Sequence, residues 1–122
     1  MSYDIGFYVK VEGCDAYTCI GSPEYDTPTY NLRPIFTKAL SWDYEQGKYY
    51  RMDEVINKIR DGINELVANE HLYKAIEPSN GWGTVKDALD VMKSIYKWFY
   101  PQNEWKREFD SDIPMNCIYM RW

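Results

Sequence analysis

Tyr3, Ile5, Phe7, Val9 and Val11 alternate with Asp4, Gly6, Tyr8, Lys10 and Glu12, the period-2 pattern of a strand that turns one face to a core. Such a strand is not stable alone, so later segments must supply both its neighbours and the layer that covers it. Gly13-Cys14-Asp15 supplies turn residues, and Ala16 to Ile20, with Tyr17 and Thr18 favouring extended structure, reads as the returning strand of a hairpin. Gly21-Ser22-Pro23 then breaks the pattern.

Helical periodicity follows. Leu32, Ile35, Phe36, Ala39 and Leu40 make one apolar stripe, with Asn31 as the natural N-cap and Pro34 tolerated in the first turn because its missing N–H would have no intrahelical acceptor. Ser41 to Met52 has no period and reads as a loop around Gly47. A second helix runs from Asp53 to near Asn69, with Val55, Ile56, Ile59, Ile63, Leu66 and Val67 forming a wide apolar face. His71 to Ile76 extends it or forms a short turn, and Glu77 to Gly83 is an emphatic break. Thr84 and Asp87 have capping-box spacing ahead of Val85, Ala88, Leu89, Met92, Ile95, Tyr96 and Phe99, a third helix that Pro101 stops. An acidic, aromatic loop runs to Asp112, and Pro114 to Trp122 closes the chain with a strand at Cys117 to Met120. The expected fold is α+β, a single domain over residues 1–122: a three-stranded antiparallel sheet in ββαααβ order, the last strand paired with the first, covered on one face by three helices.

Composition narrows the function classes. Lys and Arg number 14 against 19 Asp and Glu, a net charge of −5, and no basic cluster longer than Lys106-Arg107 appears, so direct nucleic-acid binding is not expected. No apolar run is long enough to span a membrane, and the start MSYDIGFYVKVEG lacks a signal-peptide pattern, so the protein is expected to be soluble and cytoplasmic. Cys14, Cys19 and Cys117 form neither a disulfide framework nor a zinc pattern and read as small buried hydrophobes. No metal site and no cofactor are expected. Catalytic signatures are weak: His71 is the one histidine, Cys14 and Cys19 have no base nearby in sequence, and Asp110 and Asp112 sit in a polar loop. The balance weighs against an enzyme.

Aromatic residues make up 17% of the chain. Two loops concentrate the interest. Thr29-Tyr30-Asn31, with Arg33 following, leads into the first helix, and Asn80-Gly81-Trp82-Gly83-Thr84 leads into the third. Each places small polar groups, a large aromatic and backbone N–H donors at a helix start, which attracts anions. Were the loops to converge, Tyr30 and Trp82 would wall a pocket for a small anionic or nucleotide-like ligand, with Asn31 and Asn80 as hydrogen-bonders and Arg33 as counter-ion. The bland account makes Asn31 and Thr84 caps, Asn80-Gly81 a turn and Trp82 a core plug. A second function class is a protein-interaction module, an inhibitor of a host enzyme or defence system, acting through the acidic aromatic segments with Tyr49, Tyr50, Trp105 and Phe109.

Ser2-Tyr3-Asp4-Ile5, Thr29-Tyr30-Asn31-Leu32-Arg33-Pro34-Ile35-Phe36 and Pro78-Ser79-Asn80-Gly81-Trp82-Gly83 carry a resemblance. The chain resembles, up to about Phe99, a functionally uncharacterised family of small proteins from bacteria and their phages with YDI, TYN and NGWG segments. The resemblance implies that the two loops belong to one recurring design and supplies no mechanism. In a phage or prophage setting, the ligand reading would mean capture of a host signalling molecule, and the partner would be that small anion or a host protein.

Overall fold

The computed structural model describes residues 2–10, 13, 16–79, 81–100 and 113–122. Four antiparallel strands form one sheet: β1 (Gly6–Lys10), β2 (Tyr17–Gly21), β3 (Tyr49–Arg51) and β4 (Ile118–Arg121), in the order β2-β1-β4-β3. Helices α1 (Arg33–Leu40), α2 (Met52–Ala68), α3 (Glu70–Lys74) and α4 (Val85–Phe99) complete the α+β architecture.

The alternation sorts the two faces. In the β1–β4 pair, Phe7 opposes Met120 and Val9 opposes Ile118 on the covered face, while Tyr8 opposes Tyr119 on the other. Phe7 packs on Trp98 and Phe99 of α4, and α2 lies against β4, so the helices cover the face that carries Phe7, Ile118 and Met120. On the opposite face Tyr17 of β2 and Tyr49 of β3 reach over the two inner strands and stack at 3.8 Å, with Tyr8 edge-on to Tyr49 and Tyr119 edge-on to Tyr17.

The three-strand, ββαααβ expectation is corrected by β3 and α3. Tyr49–Arg51 lies inside the segment read as a loop, and three residues are too few for alternation to register. The first strand is also shorter than its pattern: Tyr3 and Ile5 are buried, but their N–H groups donate to Pro28 O and Asp26 O at 2.8 and 2.7 Å rather than to a strand of the sheet. Val11 and Glu12 lie outside the described residues, as do Cys14 and Asp15.

Helix boundaries follow local chemistry. The Asn31 cap is corrected: Thr29 Oγ1 accepts from the Asn31 N–H at 3.3 Å, opening a short 3-10 turn at Tyr30–Leu32 that runs into α1. α4 has both arms of the capping box, Asp87 N–H to Thr84 Oγ1 at 3.1 Å and Thr84 N–H to Asp87 Oδ2 at 3.0 Å. Val67, assigned to the apolar face of α2, is 63% exposed, because the stripe that meets α1 and α4 ends with Leu66. Gly62 in the same stripe allows the helices to approach closely, since a Cβ there would lie 2.7 Å from Leu40 Cδ2. Cys19 and Cys117 are exposed rather than buried, the first opposite outward-facing Tyr8 and the second in the 3-10 turn before β4.

A buried aromatic cluster joins distant parts of the chain. Trp122 stacks on Tyr44 at 4.2 Å and 13° and contacts Tyr3 and Phe36, while Tyr3 and Tyr44 share a buried hydroxyl–hydroxyl bond of 2.8 Å. Trp122 Nε1 is buried without a partner among the described residues. Trp122→Ala should cost about 3–5 kcal/mol, as large-to-small core changes do. Trp122→Phe, which removes the unsatisfied N–H while keeping a ring, should cost clearly less. Urea unfolding of the two variants checks this, and equal losses would contradict it.

Candidate functional site

The two loops singled out in the sequence meet at an apolar contact. Gly83 is buried at φ +98°, a conformation that favours glycine, and a Cβ there would lie 3.1 Å from Leu32 Cδ2 and 3.2 Å from Thr29 Cγ2. Thr29, Leu32 and Gly83 therefore pack together. Asn31 is half-buried, Gly81 is exposed, and Asn80 lies outside the described residues. Trp82, between two glycines of positive φ, is 70% exposed, which overturns its reading as a core plug.

Carboxylates dominate the groove beside this contact. Glu24, Asp26, Asp87 and Asp90 line a space of about 270 Å³ together with Thr29, Leu32 and neighbouring residues. At the start of α4 the Val85 N–H donates to Glu77 Oε1 at 2.8 Å, and Asp87 holds the Thr84 N–H. The chain's own carboxylates thus occupy donors that a helix N-terminus would otherwise offer to an anion.

Tyr30 and Arg33 face elsewhere. They line a separate cleft of about 500 Å³ with Tyr3, Tyr44, Asp43, Glu45 and Gln46. The Tyr30 ring meets Tyr3 edge-on at 4.6 Å. Arg33 lies over the Tyr44 ring at 4.6 Å, and its Nη2 donates to Asp43 Oδ1 at 3.0 Å and to Tyr44 O at 2.9 Å. Interaction with the Tyr3 hydroxyl, then the nearby Tyr44 and Asp43, hold the guanidinium above its ordinary value against the opposing effect of burial. The site therefore keeps a fixed cation layered on an aromatic ring.

The predicted set is thus divided: Thr29, Gly83 and Thr84 stand on one side, Tyr30 and Arg33 on the other. Tyr3 and Tyr44 were missed as lining residues. Tyr3 follows the core-facing phase of the first strand, and Tyr44 belongs to a segment without period, although it is wholly buried. Trp105, Phe109, Asp110 and Asp112 lie outside the described residues. Tyr49 is on the open sheet face and Tyr50 packs on Trp42 at 4.7 Å. His71 is exposed on α3. Among the described residues no group of His, Cys, Asp and Glu is arranged to hold a metal ion, and no helix is long and apolar enough to cross a membrane. Compared with known proteins, the chain matches no protein-family model, no curated protein and no solved structure.

Burial holds the Tyr44 phenol well above its ordinary value, and the bond with Tyr3 adds to the effect. Burial likewise pushes Tyr73 up to about 12, helped by its hydrogen bond to Glu65. Below pH 10 these phenols are neutral whether the chain is folded or unfolded, and they leave stability unchanged. Above it the unfolded chain releases their protons first, so stability should fall as pH rises from about 10 towards 12. Urea midpoints measured from pH 8 upward check the sign, and a flat profile above pH 10 would contradict it.

Proposed function

We propose that the chain is a non-catalytic binding protein for a small nucleotide-like or other anionic ligand, seated in the cleft of Tyr30 and Arg33. The observation that carries this reading is Arg33 itself: a guanidinium fixed through Nη2, layered on Tyr44, in a cleft walled by Tyr3 and Tyr30. A guanidinium has five N–H donors, and with Nη2 engaged, those on Nε and Nη1 are left to donate singly to oxygens of an anion, while the half-buried Tyr30 ring suits a planar group beside it. Asp43 and Glu45 stand at the same cleft, and the Asp43 side chain is 94% exposed. They favour a ligand with one negative charge over a multiply charged one.

Native mass spectrometry of the purified protein tests the reading. A small molecule should be retained by the protein and by Trp82→Ala, and lost from Arg33→Gln and Tyr30→Ala with far-UV circular dichroism unchanged. Retention by both cleft variants would sink it.

A second reading, a protein-interaction module, is favoured by a different observation: Trp82 stands exposed between two positive-φ glycines beside the carboxylate-lined groove. Tryptophan is enriched among the residues that anchor interfaces. On this reading a stoichiometric protein partner, recovered by pull-down, is lost with Trp82→Ala and kept with Arg33→Gln; the opposite pattern of losses rejects it.

A further inference from the structure

Among the described residues, the cations of this acidic chain are almost all answered. Arg33, Arg51, Arg60, Lys74 and Lys86 are paired with Asp43, Asp53, Asp61, Glu70 and Asp90. Lys38, Lys48, Lys58 and Arg121 lie over the rings of Tyr73, Tyr50, Trp42 and Tyr49. Lys10 also has a partner. Among the described residues Lys93 and Lys97 are the exceptions, with neither a carboxylate nor a ring to answer them.

The two exceptions are neighbours. One turn apart on α4, they are at the spacing where like charges repel and weaken a helix. They line a groove of about 410 Å³ between α4 and α2, and Arg60 and Asn64 face them, with Ile63 and Tyr96 half-buried between. No carboxylate is among the residues lining this groove. Arg60 is itself paired with Asp61, whose Oδ1 accepts from Arg60 Nε and Nη2 at 3.3 Å each, at the long end of the hydrogen-bond range. The Tyr96 ring is continued by Tyr100 at 5.0 Å, which extends an aromatic surface from the groove along α4.

We propose that this groove is a second binding site, for a small molecule that carries adjacent phosphoryl groups and a planar base, of the nucleoside diphosphate class. Lys93 and Lys97 meet the two phosphoryl groups from one side and Arg60 from the other, so that the ligand replaces repulsion between the lysines with attraction to both. Tyr96 offers a ring to the base, and Asn64 an amide that both donates and accepts. The volume is within the range of small-ligand sites. The contrast with the Arg33 cleft is one of charge. There one cation stands with two carboxylates, and here three cations line the groove, of which only Arg60 is paired, to Asp61 outside the lining. The inference rests on no residue of that cleft.

Isothermal titration calorimetry with ADP, inorganic pyrophosphate and adenosine as probes tests it. ADP and pyrophosphate should each bind one-to-one, ADP more tightly, and adenosine should give no saturable heat. Lys93→Gln/Lys97→Gln, both at exposed positions, should weaken ADP at least tenfold, whereas Lys48→Gln/Lys58→Gln, also at exposed positions, should change it less than twofold. Absence of saturable binding by both phosphate probes overturns the proposal. An equal loss in the Lys48/Lys58 control also overturns it, since the effect is then one of overall charge. Pyrophosphate binding as tightly as ADP overturns the nucleoside assignment.

Discussion

The rest of the molecule depends on the packing of Tyr3, Tyr44 and Trp122. These side chains come from the first extended run, from the irregular segment after α1, and from the residue after β4, and the stack and hydroxyl bond among them close the sheet against α1 through Phe36. The cluster also explains how a segment without secondary structure holds a defined shape. With the Tyr44 ring locked in the core, its carbonyl is a fixed acceptor for Arg33, which also pairs with the exposed Asp43 carboxylate beside it. The candidate cleft is therefore the outer rim of the core, and its geometry is inherited from packing rather than from loop conformation.

What could be read in advance divides along physical lines. Alternation from Tyr3 to Lys10, the stripes of α1, α2 and α4, and the Thr84–Asp87 cap are local patterns, and all have counterparts in the fold. β3 is legible only through its partner, because Tyr49–Arg51 becomes a strand by pairing with β4 nearly seventy residues away. The site was harder. Both loops lead into helices as their sequences imply, and they do touch. Yet the contact is made by Gly83, Thr29 and Leu32, and the aromatic members turn away from it: Tyr30 to Tyr3, and Trp82 to the surface. Sequence order places a residue on an element, but only packing decides towards which side of a junction it projects.

Charge carries a related lesson. A net charge of −5 describes the chain as a whole and conceals how unevenly the charges are spread. The four strands contain Lys10, Arg51 and Arg121 and no Asp or Glu, whereas the groove beside Gly83 is lined by four carboxylates. Asp90, three residues before Lys93, is paired with Lys86 in the preceding turn. Local balance, not the total, sets which ligands each surface can attract.

The tyrosine stack on the open sheet face has a mechanical consequence. Tyr17 and Tyr49 belong to the two edge strands, which share no backbone hydrogen bond, and their rings join over the inner pair. A sheet fastened only by its ladder can fray at one margin and leave the other intact. Here loss of either margin also removes a ring contact from the opposite one. The two edges are coupled across the sheet's width, so that local opening at β2 and at β3 shares the free energy of that one ring contact, on the order of 1 kcal/mol.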